Sequence, residues 1–277
     1  MTNNNNNVIA INTDTAGAIS YWRLAGATSR AALALQWLAV GLDEALLPAN
    51  PSNEVALRRA VTDQEGKDQK AFRIKGNKDF NGWGVVEVST KDGHVSTTEI
   101  MRARLDGDNI VVETQIEGLA ARTEQAFAMH KGALAAADIS GWLIKLASGK
   151  AATSLRESGG VYFVPRQHTD FWTKVATALQ GCGDHKVFRI PAMQTREAIE
   201  AILDSVTQEA ERLITDVNSE LQASEIGERA LTTRKTRCDE MLAKIRSYEN
   251  LLGVKMAALQ AKVEGLAVNV VSASLAA

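Results

Sequence analysis

From Thr195 onward, apolar residues recur at helical spacing over a length that no lone helix could bury. In a first arm they fall at Ile199, Ile202, Val206, Ala210, Leu213, Val217 and Leu221, with intervals of 3, 4, 4, 3, 4 and 4 residues. That is an eleven-residue period and gives a nearly straight stripe. In a second arm Leu231, Cys238, Ile245, Leu252, Leu259 and Leu266 recur every seven residues, and Leu242, Met256 and Val263 widen the seam. At 1.5 Å per residue the arms, 195–222 and 229–266, would extend about 40 Å and about 55 Å. Such stripes are stable only against another helix. The spacing therefore predicts a coiled-coil-like antiparallel hairpin over 193–266, joined at a Gly227 loop and followed by a tail, 267–277.

Charge agrees with that pairing. The first arm carries Glu197, Glu200, Asp204, Glu209, Glu211, Asp216 and Glu220 against Arg196 and Arg212. The second carries Arg229, Arg234, Lys235, Arg237, Lys244, Arg246, Lys255 and Lys262 against Asp239, Glu240, Glu249 and Glu264. Opposite balances favour unlike arms. Each exposed pair contributes only about 0–1 kcal/mol, so burial holds the hairpin and charge selects the partner. The arms can pair within one chain or between two.

Ahead of the hairpin the pattern changes twice. Residues 1–7, with five consecutive Asn, read as a solvated tip. Residues 8–62 read as a helical N-terminal unit: Ser29 or Thr28 caps a helix carrying Leu33, Trp37, Leu38 and Leu42, and Ser52 opens a second through Val61. Residues 63–192 read as an α/β part. Alternation over 83–90, 100–105 and 110–117 predicts an antiparallel meander, with turns at Lys91-Asp92-Gly93 and Asp106-Gly107-Asp108-Asn109. Arg102 and Arg104 would face Glu113 and Glu117 across strands. Helices follow from Leu119 to Ala137 and, capped by Asp138, through Leu146. A strand at Val161–Val164, a helix from Thr169 to Gln180 and a strand at Lys186–Ile190, stopped by Pro191, form a small unit whose strands could join the meander. The fold class is α+β.

The chemistry is mostly exclusion. A formal net charge of -2 argues against a generally cationic coat for nucleic acid or membrane. There is no secretory pattern at the start, and no apolar run approaches the length that spans a bilayer. Two cysteines, Cys182 and Cys238, fit a reduced, cytoplasmic setting better than a disulfide framework. His94, His130, His168 and His185 are scattered, so neither a metal nor a cofactor is expected. Gly159-Gly160 and Gly181-Cys182-Gly183 lack phosphate-cradle spacing, and no nucleophile elbow occurs. Cys182 with His185 reads better as a helix-ending turn than as a reactive pair, and Cys238 as a small buried hydrophobe. No enzyme is indicated.

One surface survives. Between Lys150 and Pro191 six basic residues outnumber three acidic ones, with aromatics interleaved. Stacking rings beside backbone-tracking cations hold single-stranded nucleic acid. The candidates are Arg156, Tyr162, Arg166, His168, Trp172, Lys174, Lys186 and Arg189. The plainer reading makes Phe163, Phe171 and Phe188 core and the cations a solvated rim.

Three stretches, GLDEALLPANPSNEVALRRAV (41–61), ISGWLIKL with SLRESGGVYFVPRQ (139–167) and RKTRCDEMLAKIRSYENLLG (234–253), resemble in this order a group of uncharacterised proteins carried by bacteriophages and plasmids. The resemblance carries no catalytic motif and no site residues. It implies a bacterial or phage-infected cytoplasm and a DNA-related or assembly role. The expected function is a non-enzymatic interaction or scaffold protein whose hairpin mediates self-association or contact with another protein. The alternative is binding of single-stranded DNA or RNA through the 155–191 surface.

Overall fold

The computed structural model of the chain describes residues 15–75, 80–92, 94–156, 159–222 and 227–276. The 1–7 tip and Gly93 of the predicted turn lie outside these. In chain order the first elements are β1 (Thr15–Arg23), β2 (Thr28–Ser29), α1 (Arg30–Ala39), α2 (Asn53–Thr62), β3 (Gln69–Ile74), β4 (Gly82–Lys91), β5 (His94–Asp106) and β6 (Asn109–Thr114). Then come α3 (Leu119–Gly132), β7 (Ala133–Leu134), α4 (Ala136–Ser148), β8 (Thr153–Ser154), β9 (Val161–Pro165) and α5 (Thr169–Gln180). The last are β10 (Lys186–Met193), α6 (Arg196–Gln222), α7 (Glu228–Leu252) and α8 (Ala257–Ala276). The class is α+β with antiparallel sheets. Among the described residues no helix is long and apolar enough to cross a membrane.

The chain divides into two units. The meander unit spans Leu24–Trp142 with Ala178–Asp184. Its sheet runs in the order β3-β4-β5-β6, each neighbour antiparallel, as the alternation predicts. Arg102 lies opposite Glu113 in the register, and their side chains meet at 2.8 Å. Ser52 caps α2 by accepting from the Val55 N–H. Leu57 and Val61 of α2 then share a core with Val85 and Met101 of the sheet and Phe127 of α3. The outer halves of β4 and β5 run beyond both neighbours, and there the ribbon is exposed on both faces.

The sheet–bundle unit holds the residues up to Arg23, Leu143–Thr177 and those from His185 on. Its sheet has the order β10-β1-β9-β8. This corrects two expectations. Residues 8–62 are not all helical, because Thr15–Arg23 is a strand. The strands either side of α5 do not join the meander either; they flank β1, both antiparallel to it. Gly17 is needed there, since a Cβ would collide with the Val164 carbonyl oxygen. Pro191 sits inside β10 rather than ending it, which an outermost strand tolerates.

The second arm is also corrected. It is not one rod but two helices, because Gly253 adopts φ 67 and ends α7. The Glu249 carboxylate then accepts from the Met256 N–H at 2.7 Å, tying the end of α7 to the start of α8. The chain folds back, α7 and α8 pack as a pair, and the predicted tail continues α8 with Val270 buried. Ile202, Val206, Leu213, Val217, Leu231, Cys238, Ile245, Leu252, Leu259 and Leu266 share one core, with Ile199 and Leu221 partly buried against it. Arg234–Glu220 and Lys244–Glu209 pair the acidic α6 with α7, and Lys262–Glu211 pairs it with α8. Ala16, Phe163 and Ala192 belong to the same core, so the sheet is the bundle's floor.

Candidate functional site

Where the bundle leaves the sheet, an open groove of about 940 Å³ runs between the end of α4, the 149–156 turn, α6 and α7. Its floor is a polar network. Lys244, 8% exposed, donates to both Glu209 carboxylate oxygens at 2.8 and 2.7 Å and to the Ala152 carbonyl at 2.7 Å. Thr153 Oγ1 also donates to Glu209, at 2.9 Å, and the Tyr248 hydroxyl donates to the Ala151 carbonyl at 2.9 Å. Ala151 takes φ 54, a left-handed backbone that alanine disfavours. Bonds to two successive carbonyls hold the turn in that shape.

Burial pulls the Lys244 ammonium below the usual lysine pKa, and the Glu209 charge and hydrogen bond oppose this. All three ammonium hydrogens have acceptors, so Lys244 is a staple between α7, α6 and the turn. Burial, and then Glu209, pushes the Tyr248 phenol well above its ordinary range.

The groove wall carries Lys145, Arg156, Arg212 and Arg237 against Asp216 and Glu240. Tyr162 lines it too, with its ring stacked on Trp22 at 5.3 Å and an interplanar angle of 3°. His168 lines it from the turn before α5; burial, then Lys150, lowers its pKa. A second hollow of about 640 Å³ adjoins the first and shares Gln167, Ala243 and Ser247 with it. Arg166, Arg246 and Asn250 line this hollow; among the described residues no carboxylate lines it, and the Arg246 guanidinium meets Glu264 of α8 at 3.7 Å.

The structure thus brings Arg156, Tyr162 and His168 into one groove and Arg166 into its extension. Trp172 must be withdrawn as a stacking ring. It is 1% exposed, and its indole N–H donates to Ser20 Oγ at 2.6 Å. Lys174 and Lys186 are exposed but line neither hollow, and Arg189 donates to Thr173 Oγ1. Lys145, Arg212, Arg237 and Arg246 lie outside the 150–191 window and were not anticipated. Arg237 had one readable signal: it stands in the basic Arg234-Lys235-Thr236-Arg237 cluster, of which Arg234 answers Glu220.

Burial pushes the Cys182 thiol up, and its Sγ donates to the Leu179 carbonyl at 3.1 Å. Cys238 is buried in the bundle core, where desolvation also raises its thiol pKa. Among the described residues no three His, Cys, Asp or Glu side chains stand together as metal ligands. No curated protein and no solved structure matches the chain. A family model does match, over residues 17–277, and by that match the chain belongs to DUF6744, a family of unknown function.

Proposed function

We propose that the protein is a non-enzymatic interaction protein and that its ligand is a single nucleic-acid strand laid along α7. One observation carries this reading: the two hollows adjoin at Gln167, Ala243 and Ser247, and their linings together cover one face of α7 from Arg237 to Leu251. At 1.5 Å per residue that track is about 20 Å long. Arg237 and Arg156 serve the larger hollow, and Arg166 and Arg246 the smaller one. A long track with cations in both parts suits a repeating anion better than a compact one, and Tyr162 offers a ring beside it. Scaffolding through the helical seams is the weaker reading, because those seams are buried within the chain. The resemblance to phage and plasmid proteins supports a role near nucleic acid in a bacterial cytoplasm.

Fluorescence anisotropy with labelled single-stranded DNA and RNA oligonucleotides tests the reading. Binding should weaken with salt, with a log–log slope of roughly 0.7 per phosphate contacted. Arg237→Ala and Arg246→Ala should each reduce that slope by about 0.7 and weaken binding to every sequence alike. An unchanged anisotropy at micromolar protein in low salt would exclude the proposal.

A further inference from the structure

The β4–β5 ribbon carries a surface that the groove leaves unused. β3 pairs with β4 only as far as Gln69 opposite Glu87, and β6 pairs with β5 only up to Thr114 opposite Met101. Between those limits the outer ribbon is held by its own two strands, among the described residues. Residues 94–99 are all exposed, Val95 at 68%. Two strands alone are marginal in water; a third neighbour or a covered face is the usual remedy.

The two edges of the ribbon differ. On the β4 side the Val88 N–H donates to the Asp68 carbonyl at 2.7 Å, which covers that edge as far as Val88. The same bond fixes the phase of the ladder. Val88 turns its backbone N–H away from β5, so Val88 and Thr97 are a non-hydrogen-bonded pair. By alternation Thr90 and Val95 are another, while Ser89–Ser96 and Lys91–His94 are hydrogen-bonded pairs. The N–H and C=O groups of Val95 and Thr97 therefore point outward from the free edge of β5. No proline, lysine, arginine or carboxylate stands between His94 and Thr98 to blunt that edge.

We infer that this edge is a self-association surface, pairing antiparallel with the same edge of a second copy about a two-fold axis beside Ser96. The register follows from the outward groups. Val95 lies opposite Thr97 of the other copy, and Thr97 opposite Val95, each pair exchanging both of its backbone hydrogen bonds. Both are β-branched pairs on one face of the joined sheet. The segment 94–98 has no Asp, Glu, Lys or Arg, so it repels no copy of itself and offers no fixed charge to select a foreign strand. A two-fold contact lets one edge satisfy itself and closes the assembly. The contact is short, so the dimer is weak and forms as concentration rises.

Sedimentation of the full chain over a concentration series tests this. The mass should climb from 29.8 kDa toward twice that value. Thr97→Pro removes an outward N–H without touching the bonds to β4, and should hold the chain at 29.8 kDa throughout. Thr90→Pro places the same residue on the opposite edge and should dimerise as the parent does. If Thr97→Pro loses the parent's circular dichroism, Val95→Lys, an exposed substitution that sets like charges across the axis, takes its place and should be monomeric. A parent that stays monomeric overturns the inference. So does a dimer that survives both β5 substitutions, or one that Thr90→Pro breaks equally.

Discussion

Lys244 and Tyr248 sit one turn apart on α7 and titrate in opposite senses. Burial holds Lys244 below the usual lysine pKa, so the folded chain releases that proton before the unfolded chain does. Its contribution to stability therefore rises as pH climbs toward the unfolded lysine value of about 10.4. Tyr248 is held well above its ordinary pKa, so the unfolded chain ionises first, and stability falls as pH passes about 10. Tyr248→Phe should cost about 1–2 kcal/mol near neutral pH, because the Ala151 carbonyl loses its donor. It should also remove most of the alkaline decline. Urea unfolding at a series of pH values measures both, and identical alkaline slopes in parent and variant would exclude the assignment.

Glycine is the sharper test at the scale of elements. Gly253 ends α7 in a left-handed conformation, whereas Gly265 sits exposed inside α8 with open space around it. Gly253→Ala should destabilise the bundle by about 1 kcal/mol, and Gly265→Ala should stabilise it by a similar amount. Thermal melts that moved in the same direction would contradict the break. This break was hidden from periodicity. Ile245, Leu252, Leu259 and Leu266 keep a seven-residue beat through it, because α7 and α8 both turn that seam into one core. The meander and the caps at Ser29 and Ser52 were legible, since alternation and capping are local. β1 was not, because Ala16-Gly17-Ala18 shows little period and its partners lie far along the chain. Half of the candidate surface was legible for the same reason. Arg156, Tyr162, Arg166 and His168 sit close in sequence, whereas Lys145, Arg212, Arg237 and Arg246 reach the hollows only through the packing of α4, α6 and α7.

Across the whole molecule, the sheet–bundle unit is assembled from segments far apart in the chain. β1 is an inner strand of its sheet, and Ile19, Phe163 and Ala192 rest against the helices. A chain beginning at Leu24 should therefore lose hydrogen-exchange protection in α6, α7 and α8, although none of their residues is removed. Full protection in that truncated chain would mean the bundle stands without its floor.

The position of β1 also bears on the order of synthesis. Its two neighbours, β9 and β10, are translated well over a hundred residues after it. At 5–20 residues per second, β1 emerges roughly 7–30 s before β9. For that interval the segment carrying Tyr21 and Trp22 waits without its neighbouring strands, so this sheet can close only once β9 and β10 have been made.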